Sequence, residues 1–465
     1  MTMLHPASAA QDLLTGLAQV VDAESLVSPE RVSLLDPGLD EHNLDAGLMV
    51  APASTEEAQA LIGWCADHSV ALVPHGGRTS LAGAATSAAG QVVVSTHRLN
   101  KILELDEAAG TALVEPGVTL SALQDAAAEI GLSPGIDLGA RDNATIGGMV
   151  ATNAGGQQSF RHGVMRQRVL GLEAVLGNGQ IYTDLKKVTK SNEGYAVRHL
   201  LIGSEGTLGL LTKISVSLAP VDGTKATALV SCPDEAGAVK AFMRLRAETG
   251  LQLLAMEYMS ADYARVTAEE RGEASTLGFE SDPNAVFLLI DVPEAHESLL
   301  SETLLSCAEH EEISNAIFAK SEGDRAKFYA IREDVFLVDR RYPRGVSYDI
   351  SLPVSHLPAY TEGLRSRIKA VHPDLRIFTL GHLADGNIHL SISRGEPVPD
   401  LQDAIRRAVN VGLTEVGGSF SAEHGIGVEK RASLKENVPA HQLELMAAIK
   451  HVFDPANIMN PGKVL

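Results

Sequence analysis

Three glycine-rich loops constrain the fold of this chain more than any other feature. They lie at 75–83 (HGGRTSLAG), 144–156 (ATIGGMVATNAGG) and 203–209 (GSEGTLG), and the first directly follows the strand-like segment Ala71–Pro74. Because glycine has no side chain, such loops can turn several consecutive backbone N–H groups toward one anion. The two Gly-Gly steps of the second loop would allow close approach to a flat ring, and Glu205 in the third loop is expected to accept from a ribose hydroxyl. Each loop alone also fits an ordinary turn. Three of them within one stretch of chain predict a site for a phosphate-bearing ligand.

Missing motifs and composition exclude several classes of protein. No strand leads into G-x-G-x-x-G and no GxxxxGK[ST] occurs, so the chain is neither a Rossmann nor a P-loop protein. Its 38 basic and 59 acidic residues give a net charge of −21, which opposes nucleic-acid binding. No apolar run reaches the roughly 18 residues of a membrane-spanning helix. The first residues lack the basic region of a secretory or transit signal, so we expect neither.

The pattern of predicted elements changes near residue 222, and it predicts an α+β chain built from several parts. Residues 1–45 form a lead-in, and 46–222 alternate short strands with tight turns. Residues 223–416 alternate longer amphipathic helices with strands, and 417–465 return to glycine and short motifs. The 465 residues are enough for two or three domains.

Local signals predict individual elements of the first large part. Ser54 and Thr119 each precede an apolar-periodic segment and are expected to cap a helix. Segments 101–115 and 172–184 each hold two strand-like runs around a glycine-containing turn, which predicts two hairpins.

The second large part is expected to contain an antiparallel sheet with helices on one face. The segment 377–392 (IFTLGHLADGNIHLSI) has the pattern of a hairpin, which favours this arrangement over a parallel βαβ sheet. The expected strands are QLLAMEYM, AVFLLIDV, VSYDISL, RIFTLGH and IHLSIS. The expected helices lie at about 234–249, 296–309, 323–340, 355–371 and 401–416.

Two histidines and a separate acid–base pair are the candidate reactive residues. His382 and His389 bracket an Ala-Asp-Gly turn, and Glu423 stands beside His424 next to small residues. Two histidines and one carboxylate, with positions left for substrate, suit a catalytic divalent ion such as zinc. Neighbours in extended chain point opposite ways, so Glu423 as a ligand leaves His424 for another role. Each pattern alone also fits ordinary surface or core residues.

The glycine loops resemble those of the FAD-linked oxidases of the vanillyl-alcohol oxidase/p-cresol methylhydroxylase type. Segment 74–83 is similar to that family's pyrophosphate loop, and 146–156 and 203–209 are similar to its second and third FAD segments. The resemblance implies a two-subdomain FAD-binding domain, an antiparallel-sheet substrate domain and a small C-terminal segment. His75 does not stand where the family's covalent histidine usually does, so non-covalent FAD is expected. The implied cofactor-binding residues are Pro74, Gly76, Gly77, Arg78, Thr79, Ser80, Gly83, Pro134, Gly135, Ala144, Thr145, Gly147, Gly148, Asn153, Gly155, Glu205, Gly206 and Asn460.

Two further segments resemble the signatures of one branch of that family, the D-2-hydroxy-acid dehydrogenases. These are GHLADGNIH at 381–389 and SAEHGIG at 421–427. The resemblance implies oxidation of a D-2-hydroxy acid to the 2-oxo acid by proton abstraction and hydride transfer to flavin N5. The implied roles are metal ligation by His382, His389 and Glu423, with zinc as the expected ion, and proton abstraction by His424.

The same resemblance implies residues that bind the substrate carboxylates. The segment FYAIRE is similar to one that carries a substrate-binding arginine in this branch, which assigns Arg332. Asn387, between the two histidines, and Arg344, in the cluster RRYPR, are further candidates.

The sequence leaves the choice of acid open. The segment 350–353 resembles the D-2-hydroxyglutarate subgroup, so this diacid or a similar one ranks first. Resemblance implies that animal 2-hydroxyglutarate enzymes bind the distal carboxylate with a threonine and a lysine, and these positions of the substrate pocket hold Phe336 and Ser347 here. Phe336 favours the second choice, which is D-lactate, glycolate or a hydrophobic D-2-hydroxy acid.

No second redox centre is visible in the sequence. It has no haem CxxCH, Fe–S cysteine spacing or nicotinamide motif, which implies an external acceptor such as electron-transfer flavoprotein, a quinone or a cytochrome. Cys65, Cys232 and Cys307 are widely spaced, which suits a reducing, cytoplasmic compartment. A homodimer is left open. Two rival classes also remain, namely a metal-free alcohol oxidase of the same fold and a non-catalytic flavin-binding protein.

Overall fold

A computed structural model describes residues 6–273 and 284–465, so residues 1–5 of the lead-in lie outside the described residues. The chain divides into two compact units. The first runs up to Gly156 and includes His162–Val221 and Glu423–Leu465. The second comprises Gln157–Arg161 and Asp222–Ala422. From the sequence, we placed the corresponding divisions at 223 and 417.

The strands of the first unit are short and form three sheets. They are β1 (Leu26–Val27), β2 (Met49–Val50), β3 (Leu72–His75), β4 (Val92–Ser95), β5 (Ile102–Asp106), β6 (Thr111–Val114), β7 (Leu132–Ser133), β8 (Val169–Leu176), β9 (Ile181–Asp184), β10 (Gly209–Ser217) and β11 (Ala219–Pro220). The four-stranded sheet has the order β1-β2-β4-β3, in which β4 pairs in parallel with β2 and β3. The five-stranded sheet, β5-β6-β10-β8-β9, is antiparallel. Strands β7 and β11 form the third sheet.

Capped helices connect these strands as the local signals predict. Ser54 Oγ accepts a hydrogen bond from the Glu57 amide at 3.1 Å and Thr119 Oγ1 accepts one from the Ala122 amide at 3.2 Å. Both predicted hairpins are confirmed as β5–β6 and β8–β9. The helices up to residue 221 are α1 (Pro6–Leu17), α2 (Pro29–Val32), α3 (Thr55–His68), α4 (Leu120–Ala128), α5 (Ile146–Thr152), α6 (Ser159–His162), α7 (Met165–Arg168) and α8 (Arg198–Leu201).

The C-terminal segment is part of the core of the first unit. It contains helices at Arg431–Asn437 and Ala440–Phe453, which sequence analysis did not predict. Beyond them, Met459 forms a parallel bridge with Leu72 of β3, and the Asn460 amide donates to the Leu72 carbonyl at 2.7 Å. Met459 is fully buried. The last residues of the chain therefore complete the packing of the four-stranded sheet.

The second unit is built on one seven-stranded sheet that is antiparallel throughout. Its order is β15-β12-β14-β13-β17-β18-β16. The strands are β12 (Lys225–Cys232), β13 (Ala255–Ser260), β14 (Val286–Pro293), β15 (Asn315–Phe318), β16 (Val346–Ser351), β17 (Arg376–His382) and β18 (Asn387–Ser393). The expected antiparallel sheet and the hairpin β17–β18 are confirmed.

Helices cover both faces of this sheet, so the expectation of helices on one face was wrong. Successive residues of β14 point to opposite faces, and both faces are buried, with Leu288 in one apolar cluster and Phe287 in another. Phe242 and Leu300 join the first cluster, and Phe328 joins the second. The helices are α9 (Glu235–Ala247), α10 (Ala261–Arg271), α11 (Glu297–Glu309), α12 (Glu322–Glu333), α13 (Phe336–Arg341), α14 (Leu357–Val371) and α15 (Gln402–Asn410).

The helix expected at 323–340 is two helices. Ser321 caps α12 by accepting from the Asp324 amide at 3.1 Å, and α12 ends at Glu333 before α13 begins at Phe336. In the described ranges, no helix combines the length and the apolar character that crossing a bilayer requires.

Candidate active site

The first glycine loop offers a row of backbone donors. Among the described residues, the N–H groups of residues 77–81 donate no hydrogen bond within the protein. A Cβ on Gly77 would overlap the carbonyl oxygen of Asn143, and one on Gly76 would overlap Thr145 Oγ1. The glycines are therefore required where the first loop packs against the second. The exposed row of amides fits a pyrophosphate, which binds to such nests.

His75, at the start of this loop, is a structural residue. It is fully buried, and its Nε2 lies 2.8 Å from the Ala85 carbonyl, to which it donates. Burial lowers the pKa of His75 to about 4, helped by the charges of Arg78 and Lys463. The imidazole is therefore neutral at pH 7 and its Nε2 is already engaged.

The second loop uses its amides to begin and end a helix. Thr145 Oγ1 accepts from the Gly148 amide at 3.2 Å and so caps α5. Asn153 ends that helix in the left-handed conformation, and its Oδ1 accepts from the Arg166 amide at 2.9 Å. Gly147 packs against Pro116 so closely that a Cβ would overlap it. This loop therefore supplies a compact surface rather than an anion-binding row.

The remaining cofactor-binding candidates lie around these loops within the first unit. Gly206 has φ +71° and packs on Pro74, while Gly83 has φ +70°. Pro134 and Gly135 are buried, and the Pro134 carbonyl accepts from Arg168 Nε at 3.1 Å. The other candidates are also half-buried or buried, namely Arg78, Thr79, Ser80, Ala144 and Gly155.

Glu205, in the third loop, binds the protein backbone. We expected its acid to accept from a ribose hydroxyl. In the structure, Oε1 accepts from the Ile426 amide at 2.7 Å and Oε2 from the Gly427 amide at 2.8 Å. Burial raises the pKa of Glu205, an effect that these two amides oppose. Asn460 Nδ2 donates to the carbonyls of Ala84 and Glu205 at 3.0 and 2.8 Å, so it joins the first and third loops.

The segment that carries Glu423 and His424 is anchored between these loops. Glu423 Oε1 accepts from the Gly156 amide, at the end of the second loop, at 2.8 Å. The Val428 amide donates to the Ala82 carbonyl of the first loop at 3.0 Å. The first unit therefore presents the candidate acid and base next to its three glycine loops.

In the second unit, the hairpin β17–β18 brings the two predicted histidines together. The His382 and His389 rings are 5.7 Å apart and nearly perpendicular, and one nitrogen of each lies within 4.8 Å of the other. His382 is the register partner of Asn387 across the hairpin, and His389 is that of Leu380. Gly386 has φ +75° in the turn, where a Cβ would overlap the Leu352 carbonyl.

Two buried carboxylates that sequence analysis missed stand beside these histidines. Glu257 Oε1 lies 2.8 Å from His382 Nδ1, and Asp349 Oδ1 lies 3.5 Å from His389 Nδ1. A carboxylate at Nδ1 holds a histidine in the tautomer whose Nε2 carries the lone pair, which is the usual arrangement behind a metal ligand. For Glu257 the available signal was an acid inside the otherwise mostly apolar segment AMEYM, whereas the segment VSYDIS around Asp349 contains other polar residues and gives no such signal.

Arg332 reaches the same place from α12. Its Nη2 lies 2.6 Å from Glu257 Oε2, and the side chain is 7% exposed. Burial works to raise the pKa of Glu257, but the charges of His382 and Arg332 outweigh it and hold that pKa below its ordinary value. Arg332 Nε is buried with no hydrogen-bond partner among the described residues. The arginine therefore keeps one donor for a ligand.

The other predicted substrate contacts differ in their surroundings. Asn387 Nδ2 donates to Asp349 Oδ1 at 2.8 Å and to the Ile350 carbonyl at 2.9 Å, so both amide hydrogens serve the sheet. Arg344 is exposed, with φ +59°, and Ser347 is also exposed. Phe336, which we expected in the substrate pocket, is 61% exposed.

Comparison with known proteins identifies the family. The model of the FAD binding domain matches residues 46–184, and that of the C-terminal domain of FAD linked oxidases matches residues 222–464. The chain belongs to the FAD-linked oxidases. The first match spans all of the first two glycine loops, and the second match spans His382, His389, Glu423 and His424.

Relatives and solved structures of FAD-linked oxidases agree with this placement. A D-2-hydroxyglutarate dehydrogenase of Xanthomonas citri pv. viticola is 33% identical over 418 residues, 89% of this chain and 88% of the relative. The mitochondrial D-2-hydroxyglutarate dehydrogenase of Bos taurus is 31% identical, covering 98% of this chain and 84% of its own. The structure of p-cresol methylhydroxylase with substrate bound has a TM-score of 0.74 at 16% identity, covering 98% and 96% of the two chains. That of 4-ethylphenol oxidase from Gulosibacter chungangensis has a TM-score of 0.73 at 18% identity, covering 98% and 97%.

These findings confirm the expected family and fold. This FAD-linked oxidase is an FAD-dependent oxidoreductase with the architecture of the p-cresol methylhydroxylase type. The row of amides at 77–81 and the packed glycines around it fit the cofactor that the family implies.

Proposed function

We propose that this FAD-linked oxidase is a metal-dependent D-2-hydroxyglutarate dehydrogenase that oxidises its substrate to the 2-oxo acid. The observation that carries the proposal is the histidine pair of the hairpin β17–β18, each ring backed by a buried carboxylate. The names of relatives at 31–33% identity support the choice of substrate.

The proposed metal ligands are His382, His389 and Glu423. Support for the third ligand comes from the covalent chain, because the Ala422 amide donates to Asp349 Oδ2 at 3.0 Å and Glu423 follows directly. Two imidazoles and one carboxylate suit a catalytic Zn²⁺ site with a position left for substrate.

The chain's own residues supply binding and proton transfer. Arg332, with its unpartnered Nε, is the proposed partner of the substrate carboxylate. His424 is the proposed base that accepts the proton of the 2-hydroxyl group, a role for which the ordinary pKa of histidine, about 6.5, is suitable. When bound, FAD supplies a two-electron acceptor and the metal supplies a Lewis acid. The contacts of segment 423–428 with the glycine loops support a base that lies in the same unit as the cofactor site.

D-lactate is the second candidate, and two side chains argue in opposite directions about a distal carboxylate. Ser347 is a short neutral side chain, which favours a substrate without a second carboxylate. The exposed Arg344 offers a positive charge that favours the diacid. Phe336 no longer argues for D-lactate, because its exposed ring does not line an apolar interior.

Anaerobic flavin reduction tests the proposal. Adding D-2-hydroxyglutarate to the FAD-loaded enzyme should bleach the flavin absorbance band, faster than D-lactate does, and the L-enantiomer should leave the band unchanged. Treatment with a chelator should abolish bleaching, and Zn²⁺ should restore it. Rapid bleaching by D-lactate beside none by D-2-hydroxyglutarate would reverse the choice of substrate. Full activity after chelation would support a metal-free alcohol oxidase, and no bleaching by any hydroxy acid would support a non-catalytic flavoprotein.

We further propose that the reduced enzyme passes its electrons to an external carrier, such as electron-transfer flavoprotein, a quinone or a cytochrome. Support comes from the cysteines, which are free and buried, so none of them is arranged to hold an iron–sulfur cluster. The same state of the cysteines suits the cytoplasmic location expected from the sequence.

A further inference from the structure

Glu257 contacts two side chains that the proposed reaction uses for different purposes. Its Oε1 lies 2.8 Å from Nδ1 of His382, a proposed metal ligand. Its Oε2 lies 2.6 Å from Nη2 of Arg332, the proposed carboxylate-binding residue. We propose that Glu257 is a positioning residue that fixes the metal ligand and the substrate-binding arginine relative to each other. This inference rests on the proposed function and deepens it.

The sheet fixes the place of this carboxylate. Glu257 lies in β13 and is the register partner of His382 in β17, so the backbone ladder sets the distance between the two residues. The Glu257 side chain is 1% exposed. A carboxylate buried this deeply is stable only when it is paired and hydrogen-bonded. Here Oε1 is hydrogen-bonded to His382, and Oε2 is ion-paired with Arg332, so both partners are residues of the site.

Arg332, the second partner of Glu257, is also held in place by other contacts. Tyr263 donates its hydroxyl to the Arg332 carbonyl at 2.9 Å, which fixes the end of α12. Arg332 Nη2 also reaches the Gly381 carbonyl at 3.4 Å. Both contacts are made by Nη2, so one end of the guanidinium is anchored beside Glu257 and Gly381. Glu257 therefore sets the orientation of an imidazole and of a guanidinium at once.

The substitution Glu257→Gln distinguishes a positioning role of Glu257 from one that only fills space. Glu257→Gln keeps the volume and one oxygen, so His382 retains an acceptor, but a weaker one without charge. The new amide nitrogen takes the place of Oε2, so an N–H donor faces Arg332 Nη2, which is itself a donor. The substitution should therefore weaken the metal site through His382 and displace the arginine that binds the substrate.

Asp291 provides a matched control on the same face of the sheet. It is also 1% exposed and lies in β14, next to β13. Its oxygens accept from Thr227 Oγ1 at 2.6 Å and Tyr329 Oη at 2.8 Å, and Arg325 Nη2 lies 3.3 Å away. Asp291→Asn therefore removes an equally buried charge beside the same helix, α12, at a different set of partners.

The experiment measures Zn²⁺ binding and substrate kinetics in the FAD-loaded proteins. After metal removal by a chelator and dialysis, calorimetric titration with Zn²⁺ should give a Kd that is 10–100-fold higher for Glu257→Gln than for the wild type, as for other partners of metal-bound histidines. The KM for D-2-hydroxyglutarate should rise at saturating Zn²⁺. Asp291→Asn should change either constant by less than twofold.

Three results would overturn the inference. These are a Zn²⁺ affinity of Glu257→Gln within twofold of the wild type, an equal loss in Asp291→Asn, and a wild-type protein that binds no Zn²⁺. If Glu257→Gln does not fold, Glu257→Asp keeps the charge but is too short to bridge both partners, and the same thresholds apply to it. Flavin that is not reduced by D-2-hydroxyglutarate, beside a weakened Zn²⁺ site in the variant, would contradict the proposed substrate and leave the positioning role standing.

Discussion

His75 should make the stability of the first unit depend on pH. Its pKa is about 4 in the folded protein, against an ordinary value of 6.5. Between these pH values His75 is protonated in the unfolded chain but not in the folded one, so the free energy of unfolding falls as the pH decreases. From pH 7 to pH 5 the two pKa values imply a loss of about 2 kcal/mol from this one group.

The assay compares wild type with His75→Gln in urea at pH 7 and pH 5. Glutamine can still donate to the Ala85 carbonyl, but it does not titrate, so the loss between the two pH values should shrink by about 2 kcal/mol. Release of FAD, seen as a rise in flavin fluorescence, reports the first unit specifically. His441→Gln, at an exposed position of the C-terminal helix, is the control and should behave as the wild type. An unchanged pH dependence in His75→Gln would refute the reasoning.

Two other substitutions test the packing of the first unit. Gly77→Ala forces a Cβ into the Asn143 carbonyl. It should weaken FAD binding by about 1–3 kcal/mol, or roughly 5–150-fold in a fluorescence titration. The control Gly63→Ala, in α3 with open space around it, should leave FAD affinity unchanged and add about 0.5–1 kcal/mol of stability. Lys450→Met removes the donor that Nζ provides to Asp454 Oδ2 at 2.5 Å and should lower the free energy of unfolding by about 3 kcal/mol in urea. Equal FAD affinities in the two glycine variants, or an unshifted urea midpoint for Lys450→Met, would contradict these expectations.

Local signals in the sequence were sufficient for many elements of the fold. The caps at Ser54 and Thr119 and the hairpin that holds His382 and His389 depend on residues close together in the chain, and all three are confirmed. The covering of both sheet faces was missed, although a run such as 285–292 (AVFLLIDV) is apolar at nearly every position, as in strands buried on both sides.

The site depended on contacts that the sequence does not reveal. Glu257 and His382 are 125 residues apart and meet only because β13 pairs with β17. We interpreted the glycines of the first loop as freeing amides for an anion and those of the second as allowing a flat ring to approach. Gly77 does lie in the row of unpartnered amides, but Gly147 is needed because Pro116 approaches closely. A glycine pattern alone cannot separate these two physical reasons, since each removes the same Cβ.

The pairing of residues 459 and 460 with β3 determines the order in which the two units can finish folding during synthesis. Leu72 leaves the ribosome nearly 390 residues before its partners Met459 and Asn460. All strands and helices of the second unit, by contrast, are available once Ala422 has emerged. The first unit therefore completes its packing after the second, and its unfinished four-stranded sheet needs protection until residues 459 and 460 have been translated.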